Sequence, residues 1–335
     1  MSIFSEKISK IKADFSAGKT KDEQYYTYVE GVGSIPRDIY KHVKSDPMGD
    51  LPRYSIHIVI QHLLIFITFL LLAGTGVPIY FSDLFWAPYV IWIFGGIDTA
   101  RLIHRIAAFI MIATSGYHLV TVIGGTIQKI IKREFDIKRT QIPRLEDLFD
   151  LIHDLRYFFG REQYRPKMEK FMYKQKLHYL AILYGSFVLM TAGSALLYPD
   201  IITKYFSGVV DTFLPHGTVD PETIFSFLQD LARLMHADEA VMALIVLAFW
   251  HWTNVHLVPG RFPVQWIFLT GKITREHQIE EHFLEYLRNL QEIPEEREYM
   301  KNLLKELGIG SPQKNFVSGQ EAVSPKDPDL VTAEE

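Results

Sequence analysis

The sequence predicts an all-α protein: a four-helix transmembrane bundle with cytoplasmic amphipathic helices and a disordered C-terminal tail. Three observations predict it. Four apolar windows each approach the roughly 20 residues a helix needs to cross the hydrocarbon. Lys and Arg are distributed to alternate sides of those windows. Histidines lie inside the windows, where an ionisable side chain is costly and therefore tied to a partner or a cofactor. Whole-chain averages hide the pattern, because 335 residues at 48% hydrophobic and 22% charged give a mean hydropathy of only +0.06.

The first fifty residues mix charge, aromatics and turn residues and close on Asp46-Pro47-Met48-Gly49-Asp50, which reads as a short helix and an arm on the cytoplasmic face, residues 1–54. The membrane domain, 55–258, follows, with spans at about 55–80, 102–127, 178–198 and 239–258. The first carries no Asp, Glu, Lys or Arg over its whole length. Between the first two, Leu84 to Phe94 is very apolar but too short to cross, and its Trp and Tyr suit the outer interface. Leu145 to Leu155 repeats apolar residues at helical spacing and reads as a surface helix. Arg275 to Leu307, within a cytoplasmic segment 259–307, reads as a polar helix broken near Pro294. Residues 308–335 leave little to bury and read as a disordered tail.

Charge sets the expected topology. Phe81 to Thr99 contains no Lys or Arg, whereas Lys129 to Lys176 contains thirteen. The second connection is therefore cytoplasmic, and with nine Lys and Arg ahead of the first span both termini are expected there too, in a prokaryotic inner membrane. No short apolar segment with a small-residue cleavage site opens the sequence, so no removable signal peptide is expected. A net charge of −4 is too small to suggest a nucleic-acid partner. With no cysteine, the chain cannot hold a thiolate-ligated iron–sulfur cluster, a covalent c-type haem or a disulfide.

Four histidines form two long-spaced pairs, His104 with His118 and His236 with His251. On a helix, fourteen residues advance ~320° and ~21 Å, and fifteen advance ~60° and ~22 Å. Each pair therefore projects to nearly one side at two depths, and two such helices could clamp two stacked haems, each iron held by two imidazoles. Arg101 and Arg105 flank His104 and could pair with haem propionates. His62 complicates the inner level, because it lies at the depth expected of His118 and His251 and three imidazoles compete for one iron. His57, His178 and His256 read as interfacial, the last ~200° round the helix from His236.

Several motifs resemble a known family. Gln61-His62-Leu63-Leu64, closing on Leu72-Ala73-Gly74-Thr75-Gly76, is similar to the first helix of the cytochrome b (gamma) subunit of formate dehydrogenase, in the family shared with nickel–iron hydrogenase cytochrome b. Arg101-Leu102-Ile103-His104-Arg105 and His251-Trp252-Thr253-Asn254-Val255-His256 resemble its second and fourth helices, and Leu269-Thr270-Gly271-Lys272-Ile273-Thr274 adds to the likeness. The resemblance, over about residues 55–290, implies His62 and His251 for an inner haem b and His104 and His236 for an outer one. The chain departs from the pattern twice: His118 has no counterpart, and the 236-to-251 interval is one residue longer than the family leads one to expect. The second and fourth spans also look similar to the haem-carrying helices of the cytochrome b of quinol-oxidising bc complexes, under which His118 replaces His62.

The resemblance implies an electron-transfer subunit that exchanges electrons with quinone or quinol and with a partner iron–sulfur or multihaem c-type subunit. Tyr54, His57, His62, His118 and Asn254 are the expected polar groups for quinone at the cytoplasmic side. The competing expectation is a haem-free transporter or anchor whose histidines relay protons or pack helices.

Overall fold

The computed structural model describes residues 25–46, 48–215, 218–258 and 262–309. The structure is mostly helical, 71% helix with few short strands. The described residues fall into two compact units, one holding residues 40–286 and the other residues 25–39 with 287–309.

The larger unit holds helices α1 (Ile56–Tyr80), α2 (Ala87–Ile93), α3 (Ile97–Ile131), α4 (Leu145–Phe158), α5 (Tyr173–Leu197), α6 (Pro199–Phe213) and α7 (Pro221–Ile245). A π-helical stretch, Val246–His251, continues α7 into the short helix α8 (Trp252–Val255). Local chemistry sets the boundaries. Gly95 and Gly96, both at positive φ, turn the chain into α3. Asp147 accepts a bond from the Arg144 backbone N–H at 2.6 Å and so caps α4. Asp220 accepts from the Thr223 N–H at 3.1 Å while Pro221 opens α7, where no donor is needed.

Among the described residues, α1, α3 and α5 are the helices long and apolar enough to cross a membrane. A helix suits that medium because it satisfies its own backbone groups. The fourth apolar window begins in the second half of α7, runs through the π stretch and ends just past Val255, and upstream of it α7 carries Asp230, Arg233 and Asp238, which dilute the apolar character of that helix. The helices overrun the apolar windows, since α3 extends the second by several residues at each end and α5 starts at Tyr173 rather than 178. The segment from Asp200 to Leu234, which lies between the third and fourth apolar windows, contains α6 and the first half of α7. α1 packs along α3, α5 packs along α7, and α6 folds back onto α7.

Helices α9 (Ile267–Thr270), α10 (Arg275–Glu281) and α11 (Phe283–Glu292) follow. The polar helix therefore breaks at His282 as well as before Pro294. Strands β3 (Leu51–Pro52) and β4 (Lys272–Ile273) pair antiparallel, and the N–H groups of Arg53 and Tyr54 both donate to the Gly271 carbonyl. Arg53, buried, donates to Glu285, to the Lys170 carbonyl at 2.6 Å and to His282 Nε2 at 3.1 Å. These bonds tie the entry to α1, the approach to α5 and the segment after α8 into one knot.

In the smaller unit, β1 (Tyr26–Val29) and β2 (Gly33–Pro36) form an antiparallel hairpin with Tyr26 opposite Pro36. The described part of the N-terminal arm holds these strands, which suit the run Tyr26-Thr27-Tyr28-Val29, and a 3-10 turn at Ile39–His42, while residues 1–24, over which the expected short helix also extends, lie outside the described residues. Helix α12 (Pro294–Glu306) completes this unit. The expected disordered tail lies outside the described residues from 310 onward.

Candidate functional site

The histidines of the apolar helices gather at two levels. At the end of the bundle bearing α2, His104 of α3 and His236 of α7 bring their ring centroids to 6.3 Å at an interplanar angle of 68°. At the end bearing α4, His62 of α1 and His251 of the π stretch lie 6.4 Å apart at 35°. Each pair takes one ring from the α1–α3 hairpin and one from the α5–α7 hairpin. Along α1 the levels are separated by the thirteen residues from His62 to Thr75, a rise of ~20 Å. Two imidazoles on one iron, each with a bond of about 2 Å and a nitrogen about 1 Å from its ring centre, place their centroids about 6 Å apart. Both observed separations fit that span.

Hydrogen bonds fix the protons of the first pair. Thr75 Oγ1 spends its proton on the Leu71 carbonyl at 2.6 Å, so it accepts at 2.9 Å from His104 Nδ1–H. His236 Nδ1 lies 3.2 Å from the Leu189 carbonyl, which only accepts. In both rings the proton therefore sits on Nδ1, and Nε2 keeps its lone pair. A ligating histidine that donates its other N–H to a carbonyl or hydroxyl is the usual supporting arrangement around a bound metal. Two glycines make room for these rings. A Cβ at Gly76 would come within 2.9 Å of the His104 ring, and one at Gly193 within 3.0 Å of the His236 ring. The donor set and its surroundings fit a bis-imidazole haem.

The second level is more crowded. His178 stacks on His251 at 5.1 Å and 14°, His256 lies 6.3 Å from His251, and Phe268 of α9 packs against both His62 and His256. The ring nitrogens of His62 and His251 make no hydrogen bond among the described residues. Nε2 of His178 is buried with no partner there.

His118 is engaged on both sides. Thr121 gives its proton to the His118 carbonyl at 2.8 Å, so it accepts from Gln61 Nε2 at 3.1 Å, which points Gln61 Oε1 at His118 Nδ1, 2.9 Å away. Nδ1 therefore donates, and Nε2 accepts from the Tyr179 hydroxyl at 3.0 Å. Both of its nitrogens are committed to protein partners, which leaves no lone pair for iron in this arrangement.

The remaining candidates are dispersed. Arg101 and Arg105 are exposed on α3, and neither forms an ion pair among the described residues. His57 Nδ1 meets the Tyr117 hydroxyl at 2.7 Å. The Tyr54 ring lies under Arg53 and Lys170, each about 5.5 Å from its centre. Asn254 spends its amide on the Trp250 carbonyl of the preceding π stretch at 2.8 Å.

Two histidines read as interfacial belong to the cluster. The apolar window that opened at His178 starts five residues after the helix does, so His178 lies inside α5 rather than at its edge. For His256, the rotation of ~200° assumed an unbroken α-helix, whereas the chain passes through a π stretch and leaves the helix at His256. That π stretch also accounts for the long 236-to-251 interval. A π-bulge holds one extra residue, so fifteen residues advance about as far round as fourteen on an α-helix, near 320° instead of ~60°. Thr75, Gln61, Tyr179 and Leu189 were missed, because uncharged hydroxyls, amides and carbonyls leave no mark in an apolar window.

A further trio, His277, Glu281 and His282, is close enough to surround a metal ion. His282 cannot serve it, since Nε2 accepts from Arg53 and Nδ1 donates to the Glu169 carbonyl at 2.9 Å. Burial drives the His282 pKa well below its ordinary value, with the Arg53 charge acting in the same direction.

No protein-family model matches this chain, and no curated protein sequence matches it.

Proposed function

We propose that the chain is a membrane di-haem b-type cytochrome that passes electrons between the quinone pool and a partner redox subunit, as its resemblance to the formate dehydrogenase cytochrome b subunit implies. The observation that carries the reading is the two histidine pairs, 6.3 and 6.4 Å between ring centres, each joining the two helical hairpins. His104 with His236 would hold the outer haem, and His62 with His251 the inner one. Haem b with both axial positions taken by imidazole supplies a one-electron carrier with no open iron position. Thr75 and the Leu189 carbonyl keep the outer ligands in the tautomer that offers Nε2. Arg101 and Arg105 are placed in sequence to meet propionates.

In this reading the run from Pro221 to Val255 is the fourth span, both termini are cytoplasmic, and the protein sits in a prokaryotic inner membrane. Quinone would bind at the cytoplasmic side, where His57 keeps Nε2 beyond its bond to Tyr117 and Tyr54 lies close in sequence to α1, while His118 is already spent on Gln61 and Tyr179. With no cysteine in the chain, the electron partner would be an iron–sulfur or multihaem c-type subunit.

A pyridine haemochrome assay on the purified chain tests this, with two b haems per chain as the expected result. A second reading is a haem-free transporter or anchor, favoured by the continuous hydrogen-bonded chain Tyr179–His118–Gln61–Thr121, which packs α1, α3 and α5 together through polar side chains. Absence of haem would select it. Intact haems that neither reduce nor oxidise quinone would overturn the quinone half of the first reading alone.

A further inference from the structure

Helix α4 is amphipathic in the inverted sense. Glu146 is exposed, but two carboxylates of the helix face the protein: Asp154 is fully buried and accepts from Arg165 at 2.8 and 3.0 Å and from the Tyr173 hydroxyl at 2.8 Å, with Lys174 at 3.2 Å. Asp147 accepts from the Lys176 ammonium at 2.8 and 2.9 Å. Roughly 150° round the helix, Leu145, Leu148, Ile152 and Leu155 form a stripe at coiled-coil spacing that Phe159, just past the helix end, continues. Those side chains are exposed, from 40% at Ile152 to 78% at Phe159. A helix that turns Asp147 and Asp154 inward and a stripe of large apolar side chains outward has a second apolar medium to meet.

We propose that this stripe is seated in the acyl–headgroup boundary of the bilayer surface on the α4 side, so that α4 is a membrane-lying helix anchored to the bundle by its acidic face. Two observations choose lipid over protein. The anchoring bonds from Asp147 and Asp154 end on Tyr173, Lys174 and Lys176, the first turn of α5, one of the helices long and apolar enough to cross. That turn is where such a helix enters the hydrocarbon, which sets α4 at headgroup depth. The connection from Lys129 to Lys176 also carries thirteen Lys and Arg against eight Asp and Glu. Lys129, Lys132, Arg133 and Lys138 are exposed there, complementary to anionic headgroups.

The absence of cysteine gives a clean test. Ile152→Cys, Leu148→Cys and, as the water-facing control, Glu146→Cys are spin-labelled singly in the full chain. Each is reconstituted in nanodiscs of phosphatidylcholine and phosphatidylglycerol. Labels at 148 and 152 should relax with dissolved oxygen and be protected several-fold from a water-soluble nickel chelate, while the label at 146 shows the reverse. Equal chelate access at 146, 148 and 152 would overturn the proposal. So would protection at 148 and 152 accompanied by dipolar broadening between labels, since that identifies a second copy of the chain as the occupant.

Discussion

The two histidine levels differ in how much of their arrangement the protein supplies by itself. His104 and His236 come from α-helical segments, each ring has its Nδ1 proton committed, and each packs against a glycine. His62 and His251 have no such hydrogen bonds, and they share their level with His178 and His256, while His251 stands on a π turn. One level is preorganised by hydrogen bonds and the other by crowding. The lesson is that similar ring separations do not imply similar rigidity, because a hydrogen bond fixes both rotamer and tautomer whereas stacking fixes neither.

Removing a ligand should break the comparison most completely. His236→Ala is expected to abolish one of two haems per chain and leave the other, as is His62→Ala at the second level. His118→Ala should keep both, because its nitrogens serve Gln61 and Tyr179. Haemochrome content with low-spin electron paramagnetic resonance separates the three. A haem lost from His118→Ala with both retained in His62→Ala would reverse the inner assignment.

The π turn offers the next largest effect, and an asymmetric one. Deleting Ala248 should convert the stretch Val246–His251 to α-helix and leave His251 in phase with His236, so both haems persist. Inserting one alanine after Ala248 should rotate His251 by ~100° and cost the second-level haem alone. Loss of that haem on deletion would show that the turn does more than hold an extra residue.

How much of this was legible in the sequence follows from what each signal measures. Hydropathy windows found α1, α3 and α5 and placed α1 within a residue, but misjudged where α3 and α5 begin, because they report hydrocarbon-like composition while a helix continues into polar sequence. That is why His178 passed for an edge residue and why no window covers α6 or the first half of α7. Topology brought His104 and His236 to one depth, while helical periodicity was applied within each span, and no periodicity argument survives a π turn that is itself unread. The β1–β2 hairpin was missed because charge and turn residues dominate the arm. The uncharged partners Thr75, Gln61 and Tyr179 become visible only once helices are paired in space.

Thr75→Val sharpens the comparison at the preorganised level. It keeps the shape and removes the acceptor for His104 Nδ1–H, leaving a half-buried donor unpaired. Loss of a partner of this kind typically costs 10–100-fold in metal affinity or activity. Haem affinity at the first level should fall by about that range, with the second level unchanged in the same titration. A shift at both levels would mean that the two share more structure than their separate helices suggest.

The smallest effect concerns the approach to the crowded level, where Asp150 of α4 sits beside the first turn of the helix that carries His178. Burial raises the Asp150 carboxyl to about 7, with Asp147 adding repulsion and Lys176 and Arg144 opposing it. Because the folded value lies above the ordinary 3.8, the folded state binds the proton more tightly than the unfolded one. Stability therefore falls as pH rises from about 4 to about 7, and the full cost is carried above that. Asp150→Asn removes the cost without removing a hydrogen-bonding side chain. It should raise the thermal midpoint at about pH 8 by the equivalent of about 1 kcal/mol, modest because solvent reaches the carboxyl, and change nothing near pH 4. A gain of equal size at both pH values would place its origin in packing rather than charge, and haem content should be the same throughout, since α4 touches neither histidine pair's hydrogen bonds.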